Sequence, residues 1–455
     1  MRGKRLAGKG SFHMSGRIEP RTLKGFRDYL PEMMIPRERL LEAARGVYRR
    51  YGFAPIDTPA LEYAEILLGK GGEESDKIVY RFQDHGNRDV ALRFDLTVPF
   101  ARFAAMHVGK LGIPFKRYAM GPVWRGENTG HGRYREFWQC DFDTIGTTSV
   151  SSDAEALLVA HDLMIAAGIE RFVLRVNHRQ VLGGLLETMG LGDQATAMLR
   201  AIDKLPKVGA DAVAAEMMEK AGATRPQADT VLALAGRKGE PLAILSDLAV
   251  ELAGSERGMA GVTRLREVFE AVLAAGLPPE RIGLDLAIAR GLDYYTGIIF
   301  ETFLGDLPGI GSVCSGGRYD DLAGLYTKQA LPGVGASLGV DRLLAALEEL
   351  KCLGTAGAVA PVLIAQFEAG HLGTCLGLAR RLHAAGVGAE VFPEAKKIGQ
   401  QLQHAEKKGF RVVVLAGPDE RARGIWKIKR LADRFEMERA DADVPSGVVE
   451  LLAGG

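Results

Sequence analysis

From Arg133 to Asp143 the chain reads RYREFWQCDFD, and its side chains alternate with a period of two. Arg133, Arg135, Phe137, Gln139, Asp141 and Asp143 fall on one side, and Tyr134, Trp138, Cys140 and Phe142 on the other, with Glu136 the exception. This pattern predicts a strand with one apolar face and one face of charges and hydrogen-bonding groups. Phe115 to Glu127 reads as a partner strand, and Asn128 to Gly132 as the turn between them. The hairpin would carry Arg125, Glu127, Arg133, Phe137, Gln139 and Asp143 towards one space. Guanidiniums suit phosphates, an aromatic face suits a base, and carboxylates suit an ammonium or an imidazole. The competing reading is a hairpin whose polar side lies in water, the commoner fate of such alternation.

A chain of 455 residues is longer than one core usually serves, so two or three domains are expected. Its net charge of +1 rules against a small, globally basic nucleic-acid binder; an RNA contact would have to come from local patches on a larger enzyme. Cys140, Cys314, Cys352 and Cys375 form no C-x-x-C pair, so no metal-ligating cluster and no disulfide framework is suggested, and reduced thiols in a cytoplasm are the simpler account. No stretch approaches the ~18 apolar residues of a membrane span. Residues 1–21 are basic and glycine-rich and read as a flexible tail.

Leu40, Ala44, Val47, Tyr48 and Tyr51 make a single helical stripe closed by Gly52, followed by a strand from Ala54 to Pro59. LRFDLTVPF reads as a second strand, with Arg93, Asp95 and Thr97 on one side. An aspartate is disfavoured inside a strand, which points to a functional role. A Ser–Ser–Asp start caps a helix from Ser152 to Ala167, Phe172 to Val176 reads as a strand, and residues 178–276 are short amphipathic helices without a chemical constellation. RIGLDLAIARGLDYYTGIIFETF reads as two strands joined near Arg290–Gly291, and GSVCSGGRYDDLAGLY as a glycine-rich turn. GVGASLGVDRLLAALEEL reads as a strand running into a helix, with Arg342 at the helix start. The glycines of that last segment are spaced G-x-G-x-x-x-G, which is not the dinucleotide fingerprint. Beyond a small-residue linker near Gly354 to Ala360, strands and helices alternate, predicting a small α/β domain around a mostly parallel sheet. Lys396, Lys397, Lys407, Lys408, Lys427, Lys429 and Arg430 make it locally basic, which points to RNA.

LRFDLTVPF, GPVWRGENTGHGRYREF, RGLDYYTG and the GGRYDDL to GVGASLGVDRL region resemble, in order and spacing, the motifs of the histidyl-tRNA synthetase family of class II aminoacyl-tRNA synthetases. RGLDYYTG is the most specific of them. The resemblance implies an α/β protein: a catalytic domain over residues 22–353 built on a mostly antiparallel class II sheet with a helical insertion at about 178–276, and an anticodon-binding α/β domain over residues 361–455. It implies ATP as a substrate with Mg²⁺, histidine and tRNA as partners, and a homodimer formed through the Leu40–Tyr51 region. Arg290, Arg125 and Gln139 would be catalytic. Asp95, Thr97, Gln139, Asp143, Tyr294, Tyr295 and Tyr319 would bind histidine, and Arg125, Glu127, Arg133, Phe137 and Arg342 would bind ATP. The contrasting possibility is a silent, histidine-sensing regulatory paralogue of ATP phosphoribosyltransferase. Such paralogues lack the anticodon domain and the RGLDYYTG string, and the resemblance implies that this chain keeps both.

Overall fold

The computed structural model describes residues 17–69, 78–288, 294–353 and 357–453; Arg290 and most of the basic N-terminal segment lie outside them. The chain divides into two compact units. One comprises the residues up to Asp28 with Leu40–Ala346, the other Tyr29–Arg39 with Leu347–Gly455.

Helix α1 (Pro31–Arg50) carries the apolar stripe, and that stripe is consumed inside its own chain. Tyr48 stacks on Tyr118 with ring centroids 5.3 Å apart and lies 5.5 Å from Phe142, while its hydroxyl donates to the Cys140 carbonyl at 2.9 Å. The stripe is therefore core, and the expectation that it forms a subunit interface is not supported by its burial. The following strand β1 is only Ala54–Pro55, because Pro55 and Pro59 lack the N–H a ladder needs. β2 (Leu61–Tyr63), β3 (Arg81–Gln83) and β4 (Asp89–Leu92) make a small sheet in the order β2-β4-β3.

The strand expected over LRFDLTVPF ends at Leu92, and helix α2 (Thr97–Leu111) begins inside the same string. Asp95 decides this. Its Oδ1 accepts the Val98 N–H at 3.0 Å, so the carboxylate satisfies an orphan donor of the first helical turn. The same preference that argues against aspartate in a strand places it at a helix start.

β5 (Phe115–Trp124) and β6 (Glu136–Ile145) pair antiparallel along their whole length, from Phe115 opposite Ile145 to Trp124 opposite Glu136. Arg133 precedes the strand and belongs to the turn, bridged to Gly130. Glu136 breaks the alternation because its carboxylate accepts the indole N–H of Trp124, its cross-strand neighbour, at 2.6 Å. Helix α3 (Val150–Ala166) is capped by Ser149 rather than by the Ser–Ser–Asp run. β7 (Phe172–His178) leads into a helical region from α4 (Arg179–Thr188) to α5 (Glu256–Ala274). β8 (Ile282–Leu284), β9 (Ile298–Leu304), β10 (Cys314–Tyr319), β11 (Gly333–Gly339) and helix α6 (Val340–Glu349) complete the core. The sheet runs β1-β5-β6-β11-β10-β9-β7-β8, antiparallel except for the parallel pairs at its two ends.

The presumed glycine-rich turn is strand β10. A Cβ on Gly316 would fall on the Gly335 carbonyl and on Ala336, so glycine here serves close strand approach rather than chain reversal. Beside it, the buried Arg318 ties the sheet to α3. It donates to Asp153 Oδ1 at 2.6 and 2.9 Å, to Ser152 Oγ at 3.0 Å and to the Thr147 carbonyl at 2.9 Å.

In the second unit, β12 (Val362–Ile364), β13 (Ala389–Val391) and β14 (Val412–Leu415) pair in parallel, separated in sequence by α7 (Leu372–Ala384) and α8 (Ile398–Lys408). Two strands not foreseen, β15 (Ile425–Arg430) and β16 (Glu436–Ala440), add an antiparallel edge, so this sheet is mixed. Its core holds Val362, Ile364, Leu378, Val412, Val414 and Ile428. Four of the basic residues noted above have carboxylate partners: Lys396 with Glu394, Lys427 with Glu420, Lys429 with Glu436 and Arg430 with Asp433. The positive field is thus weaker than the residue count suggests.

Arg264 Nε also lies 3.0 Å from Asp153 Oδ2, so removing Arg318 leaves Asp153 with one of its two guanidiniums. Arg318→Met is expected to destabilise the first unit by about 2–3 kcal/mol, the scale of lost charge-assisted hydrogen bonds, read as a lower urea midpoint for its unfolding.

Candidate active site

The registers of β5, β6 and β11 set out the polar face of the sheet in rows. Arg117, Asp143 and Gly335 lie opposite one another; Ala119, Asp141 and Ser337 form the next row; then come Gly121, Gln139 and Gly339, and last Val123 and Phe137. Successive rows are roughly 7 Å apart along the strand. Glycines fill much of this face, and they leave a trough. A Cβ on Gly335 would collide with Asp143 Oδ1 and the Phe142 carbonyl, and one on Gly317 would press on Tyr295 Cδ1 at 3.0 Å.

At the inner end sits a buried pair. Arg117 Nη2 lies 2.6 Å from Asp143 Oδ2, and the Tyr319 hydroxyl donates to Asp143 Oδ1 at 2.5 Å. Arg117 also donates to the Leu96 carbonyl at 3.0 Å and covers the Phe100 ring at 4.4 Å. Tyr294 packs edge-on against Tyr295 and Tyr319, with centroids 5.1 and 6.0 Å away, and donates to Asp95 Oδ2 at 3.2 Å. Thr97, the first residue of α2, lies in the same buried corner. Burial pushes the carboxyls of both Asp95 and Asp143 upwards, against the opposing pull of their partners.

Asp141 is different. It is 1% exposed and lies opposite Ser337 on β11. Burial pushes its carboxyl up to about 7; Arg117 and a hydrogen bond from the Ser337 side chain pull against that shift, and Asp143 and Asp95 add to it. Next to it Gln139 donates from Nε2 to Ser337 Oγ at 2.8 Å, leaving its own buried Oε1 without a donor.

At the outer end the charge reverses. Arg125 donates to the Phe94 carbonyl at 2.8 Å and lies 5.2 Å from the Phe137 ring centroid. Arg342 donates to the Ser312 carbonyl at 2.6 Å; burial lowers its pKa, and so do the neighbouring Arg133 and Arg125 guanidiniums. Three cations therefore converge, with Glu127 3.4 Å from Arg133 and 3.9 Å from Arg125 and Glu301 also acting on Arg342. Asp341 braces this end by accepting from the Trp138 N–H at 2.7 Å and from Arg27 Nη2 at 3.1 Å. Such a cluster suits a polyanion. Among the described residues no group of three His, Cys, Asp or Glu side chains could hold a metal ion by itself.

Every site residue read from the sequence falls in this trough except Arg290, which lies outside the described residues. Asp95 and Thr97 reach it from a helix start instead of a strand. Three contributors went unassigned: Arg117, Asp141 and Ser337. Arg117 shares the alternation parity of Arg125, and Asp141 that of Gln139 and Asp143, so parity alone could have found both.

The chain matches the family model described as Histidyl-tRNA synthetase over residues 25–343, and that described as Anticodon binding domain over residues 358–450. It is 55% identical over 436 residues to a histidine–tRNA ligase of Rhodopirellula baltica, covering 96% of this chain and 99% of that one. A histidine–tRNA ligase of Wolinella succinogenes is 45% identical across 90% of this chain and 94% of its own length. The crystal structure of histidyl-tRNA synthetase from Nostoc sp. PCC 7120 superposes with a TM-score of 0.87 at 34% identity, covering 95% of this chain and all of that one.

Because the folded pKa of Asp141 is raised, the folded chain keeps a proton that the unfolded chain has lost between the usual carboxylate range and about pH 7. Stability therefore falls as pH rises through that window. Asp141→Asn removes this penalty. Without ligand it is expected to be more stable than the parent at pH 8, by about 1 kcal/mol or more, and no more stable at pH 4.5, as read from urea midpoints at both pH values.

Proposed function

The chain belongs to the histidyl-tRNA synthetase family, and we propose that the trough on β6 is where it joins histidine to ATP before passing the histidyl group to tRNA. The chain is a histidine–tRNA ligase. The observation that carries the site assignment is the order along one strand: carboxylates and tyrosines at the inner end, a polar floor of Asp141, Gln139 and Ser337 in the middle, Phe137 and three arginines at the outer end. Asp143, Tyr295 and Tyr319 would read the imidazole. Asp95, Thr97, Gln139 and Tyr294 would frame the α-ammonium. Phe137 would stack on adenine, with Arg125 and Glu127 beside it, and Arg133 and Arg342 would take the outer phosphates. A pocket that pairs both imidazole nitrogens rejects apolar isosteres through the buried groups they leave unpaired.

The reaction forms a bond between a histidine carboxylate oxygen and the α-phosphorus of ATP and breaks the bond to pyrophosphate. Histidine then moves from the adenylate to the terminal ribose of the tRNA, releasing AMP. A guanidinium held at the α-phosphate stabilises the charge that builds there more than it stabilises the ground state. We assign that role to Arg125, whose side chain is already fixed on the Phe94 carbonyl, and, from its place in RGLDYYTG, to Arg290. Mg²⁺ is proposed as the companion of the ATP phosphates, which would supply its ligands.

The proposed domain roles follow the sequence reading, with residues 22–353 as the catalytic domain and residues 361–455 contacting the anticodon. Among the described residues no helix is long and apolar enough to cross a membrane, and we place the protein in the cytoplasm. We also propose a homodimer. Leu61, Tyr63 and Phe82, exposed by 40%, 51% and 47%, lie on one face of the β2-β4-β3 sheet, an apolar surface that a second copy would cover.

Three outcomes are expected. ATP–pyrophosphate exchange tested with all twenty amino acids should proceed with histidine alone; absence of exchange despite histidine binding would favour the regulatory alternative. Arg290→Ala should lower single-turnover adenylation by about 100-fold or more while largely sparing histidine affinity, and wild-type turnover would remove it from the mechanism. A Tyr63→Lys, Phe82→Lys double variant should sediment as a monomer where the parent sediments as a dimer.

A further inference from the structure

Two of the three arginines at the outer end of the trough share a support that comes from outside it. Tyr134 follows Arg133 in the chain, and Asp341 precedes Arg342. The side chains of both meet one guanidinium, that of Arg27, in the stretch ahead of α1. Arg27 Nη1 donates to the Tyr134 hydroxyl at 2.7 Å, and its guanidinium carbon lies 4.0 Å from the centre of the Tyr134 ring. Its Nη2 donates to Asp341 Oδ1 at 3.1 Å, and the other oxygen of that buried carboxylate accepts the Trp138 N–H. The main chain beside Arg27 is fitted to the hairpin turn as well. The Gly25 carbonyl accepts the Arg135 N–H at 2.8 Å. Gly25 has a φ of +86°, and a Cβ there would fall 2.7 Å from Arg135 Cγ and 2.8 Å from Thr129 Cγ2. Phe26 packs edge-on against Tyr80 with ring centroids 6.3 Å apart. Residues 25–27 thus form a strap across the base of the turn that carries Arg133.

We propose that Arg27 is a positioning residue for the ATP end of the trough: by holding Tyr134 and Asp341 it fixes where Arg133 and Arg342 stand, and it acts on the outer phosphates through them. This deepens the reading of the outer end as the phosphate site and rests on it. The physical need is plain. Guanidiniums gathered in one place repel one another, and without a polyanion between them they tend to spread. Arg133 is half exposed and follows a turn containing Gly130 and Gly132, which resists that spread poorly. A brace on the residue next to each of two arginines keeps them gathered before ATP arrives, so less of the phosphate binding energy is consumed in ordering them. The charge of Arg27 itself faces Asp341, which makes it a brace rather than a fourth phosphate ligand. The histidine end is supported separately, by Arg117, Asp143 and Tyr319 holding one another. Loss of Arg27 should therefore be felt by the β- and γ-phosphates and not by histidine.

The test is Arg27→Met in the full chain, which keeps an unbranched apolar stem and removes the guanidinium. In histidine-dependent pyrophosphate exchange its KM for ATP should rise by about 10-fold, while the KM for histidine stays within about twofold of the parent. Calorimetric titration with histidyl sulfamoyl adenosine, an adenylate mimic without β- or γ-phosphates, should give the parent affinity. A residue that only holds the fold together would weaken both ligands alike. Arg27→Lys keeps a cation for Asp341 but cannot lie flat on Tyr134, and it should recover part of the ATP affinity. An unchanged KM for ATP, equal weakening of ATP and the mimic, or an equal rise in the KM for histidine would overturn the proposal. If Arg27→Met fails to fold, Tyr134→Phe decides. It removes only the hydroxyl that Arg27 meets and should raise the KM for ATP by about 3-fold without changing affinity for the mimic; no change would overturn the proposal. Exchange by the parent chain tests the underlying reading separately. Its absence would remove that reading and the proposal together, whereas parent exchange with an unmoved KM for ATP in the variant would remove the proposal alone.

Discussion

The pairing of Arg117 with Asp143 is the interaction on which the rest of the trough depends. Both side chains lie out of water at the middle of the sheet, 2.6 Å apart, and neither charge is tolerable there without the other. The pair does more than neutralise itself. Arg117 reaches across to the Leu96 carbonyl and lies on Phe100, so it ties the hairpin to the chain that carries Asp95 and opens α2. Asp143 in turn holds the Tyr319 hydroxyl, and Tyr319 packs against Tyr294. One ion pair thus positions groups from three separate stretches of sequence.

What surrounds that pair is deliberately incomplete. Asp95, Asp141 and Asp143 are buried close to Arg117, and the shortfall falls on Asp141, whose carboxyl burial pushes up to about 7. At the other end of the same strand three arginines crowd around Glu127. Each end is electrostatically unfavourable alone, and each is relieved by a ligand group of opposite charge. A substrate pair that is cationic at one end and polyanionic at the other relieves both together.

The glycines determine whether there is room for this. Gly335 and Gly317 stand in the Asp143 row where any side chain would meet the floor of the trough, and Gly316, on the opposite face, lets β10 approach β11. The small residues that look like a loop in sequence are therefore strand residues whose missing side chains are the cavity.

Much of this was legible in the sequence for a simple physical reason: a strand buried on one face must alternate, and the alternation from Arg133 to Asp143 named the face that carries Phe137, Gln139 and Asp143. The helical stripe of α1 was equally readable, and four separated motifs identified the family. Three things were decided only by the fold. Asp95 left the expected strand because its carboxylate found the Val98 N–H, a contest between local partners that periodicity does not weigh. The Leu40–Tyr48 stripe turned inward because Tyr118 and Phe142 were there to receive it. And Asp141, chemically the same as Asp143 and two residues away, was left without the close ion pair that Asp143 has, because β11 brings it opposite Ser337 while β5 places Arg117 one row further in. Sequence determines which groups face the trough. Which of them remain unsatisfied depends on what the neighbouring strands place within hydrogen-bonding distance, and only the tertiary structure sets that.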